Sequence, residues 1–320
     1  MSPCGDIAAM SSNVDIATMS SYPAAADPAV ALDATRWTAQ LRRRAGRGVP
    51  SRAPPDSDGA LAALARQHPG LDRHDPLSVL DAIGKDCPGA VQFCAPDDVE
   101  QVLDRPGRLV PVSPADVEQR LVELRLDDSA SWTMRDEHWS LGGTQAKFAL
   151  RRGGEAWFEA EGAQPSTHIL KPGVRGLRSQ SLVEHVSMRA AAECGVSVAH
   201  TERLEFKSES AVVVTRFDRR QDGSRLVRLH QEDLCQALGV SEKYEEHGGP
   251  SAHDVVELLR ERSRKVVSRV RDLAERVPAA MLTALDEIDD WDGAVAELRA
   301  RLEPALTEHL AGVVARLDTD

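Results

Sequence analysis

Residues 166–195 read STHILKPGVRGLRSQSLVEHVSMRAAAECG. The apolar run His168-Ile169-Leu170 predicts a short strand that ends on Lys171. A proline and two glycines break it. The spacing then predicts a helix that opens on a capping box, Ser181 with Glu184, and runs to Cys194 before a C-terminal Gly195. Four further stretches rich in β-branched and aromatic residues flank this unit, at 148–151, 156–159, 203–206 and 212–217, and each predicts a strand. The centre of the chain is therefore a small sheet interrupted by one helix.

Upstream, Leu61, Leu64 and Ala65, then Leu77, Leu80 and Ile83, have helical spacing, with Gly84 as a C-cap. Residues 89–94 (GAVQFC) predict a strand. Ser113, Pro114 and Asp116 supply an N-cap, a first-turn proline and an early acid for a helix through Leu124. Downstream of Gln231 the pattern is helical, with apolar stripes at Val266, Val270, Leu273, Val277 and at Leu298, Leu302, Leu306, Leu310. The fold class this predicts is α+β, in four parts: a low-complexity leader at 1–55, a helical subdomain at 56–125, the sheet-bearing lobe at 126–230, and an all-helical lobe at 231–320. The leader repeats itself, DIAAMSS at 6–12 and DIATMSS at 15–21.

With 320 residues and 42% apolar content, the chain can bury a core. Its net charge of −12 argues against a direct grip on a phosphate backbone. The basic cluster of Arg42, Arg43, Arg44 and Arg47 reads as a solvated charge run, with nucleic-acid contact as the alternative. Five scattered cysteines without a C-x-x-C pair suit a reducing compartment and no zinc site. No apolar run is long enough to span a membrane and no signal peptide is evident, so the expected location is cytoplasmic. Only six residues are lysine, and Asn13 is the single asparagine.

A strand ending on lysine, then a helix with a glutamate one turn in, is the order in which kinases present a phosphate-binding lysine and its orienting glutamate. By spacing alone, Lys171 is equally a strand-end lysine and Glu184 a cap. The segment 138–150 (HWSLGGTQAKFAL) is a glycine turn entering a strand; it does not match a Walker A loop and by itself reads as a phosphate loop or a hairpin.

Together these segments resemble the HipA-like serine/threonine kinases of bacterial type II toxin-antitoxin modules. The resemblance covers 75–95 (DPLSVLDAIGKDCPGAVQFCA), 140–147 (SLGGTQAK), 166–171 (STHILK), 184–195, 216–219 (RFDR) and 230–250 (HQEDLCQALGVSEKYEEHGGP), in one order. It implies a kinase-like two-lobed fold, ATP with magnesium as cofactor, and phosphorylation of a protein substrate such as an aminoacyl-tRNA synthetase. It also implies silencing by a HipB-like helix-turn-helix antitoxin, with DNA reached only through that partner. By the same resemblance Gly142, Gly143, Thr144 and Gln145 fall on the phosphate loop and Ser140 on its autophosphorylated serine. Lys171 falls on the phosphate lysine, Glu184 on the helix glutamate, and Thr215, Arg216 and Phe217 on the adenine-contacting hinge. That hinge often has glutamate where this chain has Thr215.

Phosphoryl transfer in a kinase uses an aspartate to position the attacking hydroxyl, and an asparagine with a second aspartate to hold magnesium. In the family these follow the GGP segment in a D-x-H-x-K-N loop and a later aspartate motif. Here Gly248-Gly249-Pro250 is followed by one helix and then by 266–285, which resembles the family's last helices, and no asparagine follows position 13. Asp222-Gly223 and Asp292-Gly293 fall in a turn and between terminal helices. The family's small amino-terminal β-subdomain is not recognisable in residues 1–55. The expectation is a kinase-like N-lobe with a truncated all-helical C-terminal lobe and impaired catalysis. The alternatives are a non-catalytic remnant that binds nucleotide or antitoxin, and a decayed product that folds poorly.

Overall fold

The computed structural model describes residues 58–90, 92–94, 98–127, 141, 145–174, 176–229, 231, 233–238, 240, 242, 244–262, 270–290 and 293–317. Among the described residues three helices come first, α1 (Asp58–Gln67), α2 (Pro76–Ile83) and α3 (Val99–Asp104). Strand β1 (Gly107–Val112) and helix α4 (Pro114–Leu126) follow. The Ser113 hydroxyl accepts from the Asp116 amide while the Asp116 carboxylate accepts from the Ser113 amide, so the expected start of α4 is a full capping box.

Strands β2 (Phe148–Gly153), β3 (Ala156–Gly162) and β4 (His168–Pro172) lead into helix α5 (Gln180–Glu193). Strands β5 (Thr201–Glu205) and β6 (Ser210–Thr215) complete a six-stranded sheet of order β1-β3-β2-β4-β6-β5, in which every pairing is antiparallel. A separate hairpin, β7 (Arg219–Asp222) and β8 (Arg225–Arg228), turns at Gly223. Helices α6 (Leu234–Leu238), α7 (Ala252–Arg262), α8 (Val270–Asp286) and α9 (Ala294–Leu317) end the described chain.

Two apolar cores lie on opposite faces of the sheet. Residues two apart on a strand share a face. Leu170 of β4 and Ala211 and Val213 of β6 face one side, where they pack with Leu64, Val79, Ile83, Val117 and Leu121 from α1, α2 and α4. Val212 is equally buried but points to the other face, where α5 lies against β5 and β6. Helix α5 in turn buries Leu182, Val186 and Ala190 against Met281, Leu285 and Leu298 of α8 and α9. Of the two apolar stripes expected downstream, Val277, Leu298, Leu302 and Leu306 join this second core; Val266 lies outside the described residues, as do the side chains of Val270, Leu273 and Leu310.

Three expectations are corrected. The apolar run 89–94 is not a strand: among its described residues it is a turn and extended chain that folds back, the Phe93 amide donating to the Gly84 carbonyl at 2.8 Å. Ser181 does not cap α5, whose N-cap is two residues earlier, Ser179 in a left-handed conformation without a side-chain cap. Strand β1 was not expected; its Pro111 is tolerated because β1 is an edge strand paired only with β3. Among the described residues no helix is long and apolar enough to cross a membrane.

Candidate nucleotide-facing site

The sheet register decides where Lys171 points. Lys171 is the direct partner of Val212, so both side chains stand on the face that carries α5. Glu184 lies one turn into α5, and the two meet: Lys171 Nζ donates to Glu184 Oε1 at 2.7 Å, with side chains 13% and 11% exposed. A pair held this far out of water is a strong charge-assisted contact. Glu184 is thus a partner of lysine and not a helix cap.

Gln145 joins the pair from the chain entering β2. Its amide nitrogen donates to the Pro172 carbonyl and to Gln180 Oε1, both at 3.1 Å, and Gln180 Nε2 reaches Glu184 Oε2 at 3.5 Å. Gln145 Oε1 is buried without a hydrogen-bond partner among the described residues. Gln145, Lys171 and Glu184 are therefore brought together by three separate segments. Ser140, Gly142, Gly143 and Thr144 lie outside the described residues.

Thr215 to Phe217 lie at the other end of the same strand pair. Thr215 is opposite His168, three residues and about 10 Å along β4 from Lys171. The Thr215 amide donates to the His200 carbonyl and the Arg216 amide to the Thr167 carbonyl, both at 2.8 Å. Phe217 is 40% exposed.

The Arg216 side chain turns inward, into a buried ion cluster that the sequence did not reveal. Its guanidinium donates to Asp218 Oδ2 at 2.8 Å, to Ser166 Oγ at 2.9 Å and to the Cys87 carbonyl at 3.0 Å. Arg219 Nη2 donates to Asp86 Oδ1 at 2.8 Å and its Nη1 to Asp218 Oδ2 at 2.9 Å. Arg228 Nη2 reaches Asp86 Oδ1 at 3.2 Å, and Asp218 Oδ2 accepts from the Gly89 amide at 2.7 Å. Burial alone would raise the Asp86 pKa, but the Arg216, Arg219 and Arg228 charges and the Ser166 hydroxyl hold it well below the ordinary carboxylate range. Asp218 is lowered in the same way by Arg216 and Arg219. Burial pushes Arg219 down to about 10 against the pull of Asp86, so it remains cationic at neutral pH. The cluster ties the turn after α2 to the segment after β6. Its one sequence signal is the alternation of arginine and aspartate at 216–219, in a stretch that otherwise continues an apolar strand.

Phosphate groups fit the Lys171 ammonium, a donor beside which Gln145 is held by Pro172 and Gln180. Among the described residues no group of three or more His, Cys, Asp or Glu side chains could hold a metal ion.

An antiparallel sheet backed on both faces by helices defines a mixed α/β protein. Two family models match the chain in order: the HipA N-terminal domain over residues 8–94 and the HipA-like C-terminal domain over residues 139–286. The chain belongs to the HipA-like family. The first match begins at residue 8, which corrects the expectation that nothing of the family's amino-terminal domain is recognisable before residue 56. The Y4mE protein of Sinorhizobium fredii is 34% identical over 214 residues, covering 64% of this chain and 50% of that protein. The serine/threonine-protein kinase toxin HipA of Shewanella oneidensis is 33% identical over 190 residues, covering 56% of this chain and 41% of that protein. The chain thus spans half or less of the length of these curated relatives. Among solved structures, a chain of the Shewanella oneidensis HipA, HipB and operator DNA complex superposes with a TM-score of 0.57 at 20% identity, over 78% of this chain and 82% of that one. That likeness shows a HipA-like fold.

Proposed function

We propose that this chain is a HipA-like serine/threonine kinase of a toxin-antitoxin module that retains a nucleotide-facing lobe and is impaired in phosphoryl transfer. The observation that carries the nucleotide reading is the buried Lys171–Glu184 pair with Gln145 beside it. Lys171 would bind the ATP phosphates, Glu184 would hold its ammonium in place, and the segment Thr215–Phe217 would meet the adenine from the far end of β4 and β6. Bound ATP supplies the transferable phosphoryl group. The residues 142–144 would complete the phosphate loop.

Impairment rests on the absence of any asparagine after position 13 and on the lack of a D-x-H-x-K-N loop after Gly248-Gly249-Pro250. General-base positioning typically contributes about 10²- to 10⁴-fold, and metal neutralisation of phosphates adds several kcal/mol. A loop and one lysine do not replace both. A HipB-like antitoxin is the partner this reading names, DNA is reached only through it, and an aminoacyl-tRNA synthetase is the substrate class of an intact homologue; the complex named for the structural neighbour supports the first of these.

Calorimetry with ATP tests the proposal. Weak binding is expected, little changed when magnesium is omitted and largely lost in Lys171→Ala. Mass spectrometry after incubation with ATP and magnesium is expected to show Ser140 unmodified. Binding that survives Lys171→Ala sinks the assigned lysine role, and a phosphate on Ser140 that disappears in Lys171→Ala would falsify the impairment.

A further inference from the structure

Helix α5 has a second feature, unrelated to its glutamate. Its amino end opens into a cleft of about 320 Å³ bounded by the first turn of α5, the β5–β6 turn and the last turn of α4. The first-turn amides of an α-helix have no intrahelical partner, and the Ser179 N-cap supplies no side-chain cap here. They present donors and the positive end of the helix dipole. Ser181, only 5% exposed, also lines the cleft, and its hydroxyl has no hydrogen-bond partner among the described residues.

Two guanidiniums close on the same space from other elements, Arg125 from α4 and Arg203 from β5. Arg125 is 49% exposed and among the described residues uses its Nε alone, donating to Glu209 Oε1 at 2.8 Å. Arg203 Nη1 lies 2.9 Å from Glu205 Oε1. Glu209 also lines the cleft, and its pairing with Arg125 offsets its charge.

We propose that this cleft binds a phosphate group, free or esterified. A carboxylate offers two oxygens on one side, whereas helix amides, the Ser181 hydroxyl and two arginines approach from several directions and match a tetrahedral oxyanion. Leu177, 45% exposed and part of the same wall, offers an apolar rim for the body of an ester. The site is distinct from Lys171, whose ammonium is occupied by Glu184 and does not line the cleft.

The test is a titration of the full chain with inorganic phosphate and with phenyl phosphate, against chloride at matched ionic strength, read by calorimetry and by thermal shift. Saturable binding over chloride is expected, with Arg125→Gln weakening it roughly fivefold to tenfold and Ser181→Ala also weakening it. Arg125 is half-exposed, and circular dichroism checks that both variants fold. Lys171→Ala should retain the component of phosphate binding that Arg125→Gln and Ser181→Ala weaken. Phenyl phosphate binding at least as tightly assigns the site to an ester; weaker binding assigns it to the free ion, and either upholds the site. Absence of saturable binding overturns it, as does binding unchanged by both Arg125→Gln and Ser181→Ala. Binding lost in Lys171→Ala also overturns it, because the phosphate then sits at the nucleotide-facing pair, whose own reading would survive.

Discussion

Replacing Asp86 with alanine leaves Arg216, Arg219 and Arg228 in the interior with Asp218 as the one remaining carboxylate of the cluster. Asp86 takes a 2.5 Å hydrogen bond from the Ser166 hydroxyl, 2.8 Å from Arg219, 3.2 Å from Arg228 and 3.4 Å from Arg216. Its side chain is 12% exposed, and those of Arg216 and Arg219 are 2% exposed. Removing one member of such a buried set costs about 3–5 kcal/mol, because the partners keep their desolvation penalty and lose their counter-charge. For a chain of 320 residues that is a fall in Tm of roughly 4–8 °C. Asp86→Asn keeps the shape and an acceptor for Ser166 and should fall between parent and alanine; Ser166→Ala, which removes a single hydroxyl, should cost about 1 kcal/mol. Urea denaturation at pH 7 reads all three. The acid dependence supplies a second reading. Asp86 and Asp218 have folded pKa values below their unfolded ones. Their contribution is therefore complete above about pH 4 and disappears as the pH falls further. The gap between parent and Asp86→Ala should narrow in the same range. An alanine variant within 1 kcal/mol of the parent at pH 7 would refute the reasoning, as would a gap that stays constant down to pH 2.

The histidines should act in a separate, higher window. Burial, then the charges of Arg152 and Arg189 respectively, pushes His168 and His185 down to about 4, so stability is full above an unfolded value near 6.5 and declines as the pH falls from there to 4. His185→Gln should flatten that decline in a series of denaturation midpoints, and an unaltered slope would dismiss the assignment. Ser113→Ala removes the hydroxyl that accepts from the Asp116 amide at 3.2 Å and should lower stability by about 1 kcal/mol, while Ser113→Asn restores most of it.

Features set by neighbouring residues were legible in the sequence. Ser113-Pro114-Asp116 starts α4 because all three groups act within one turn, and Cys194-Gly195 ends α5 because glycine takes a positive φ of 79° there. The Lys171–Glu184 pair was legible because a strand and the next helix bring together residues 13 apart. The same spacing misled at the helix start. Ser181 and Glu184 have the form of a capping box, but tertiary contact with Lys171 recruited the glutamate and the helix began earlier. Residues 89–94 have the composition of a strand, yet Gly89 gives its amide to Asp218 and Phe93 closes on Gly84, so the described residues of the run line a turn and pair with no strand. The ion cluster was out of reach, since no local pattern links Asp86 to an arginine 130 residues away. Gln180 was missed too, as an exposed-looking glutamine whose role exists only between Gln145 and Glu184.

That separation of 130 residues has a consequence for synthesis. At roughly 5–20 residues per second, the turn carrying Asp86 leaves the ribosome on the order of 10 s before Arg216 is made. During that interval a carboxylate destined for the interior has no cation to meet it and must stay in water, which holds the turn after α2 open. Helices α1 and α2 can form, but they close against the sheet only when β6 and the arginines behind it arrive, so the amino-terminal part of the chain waits for its middle.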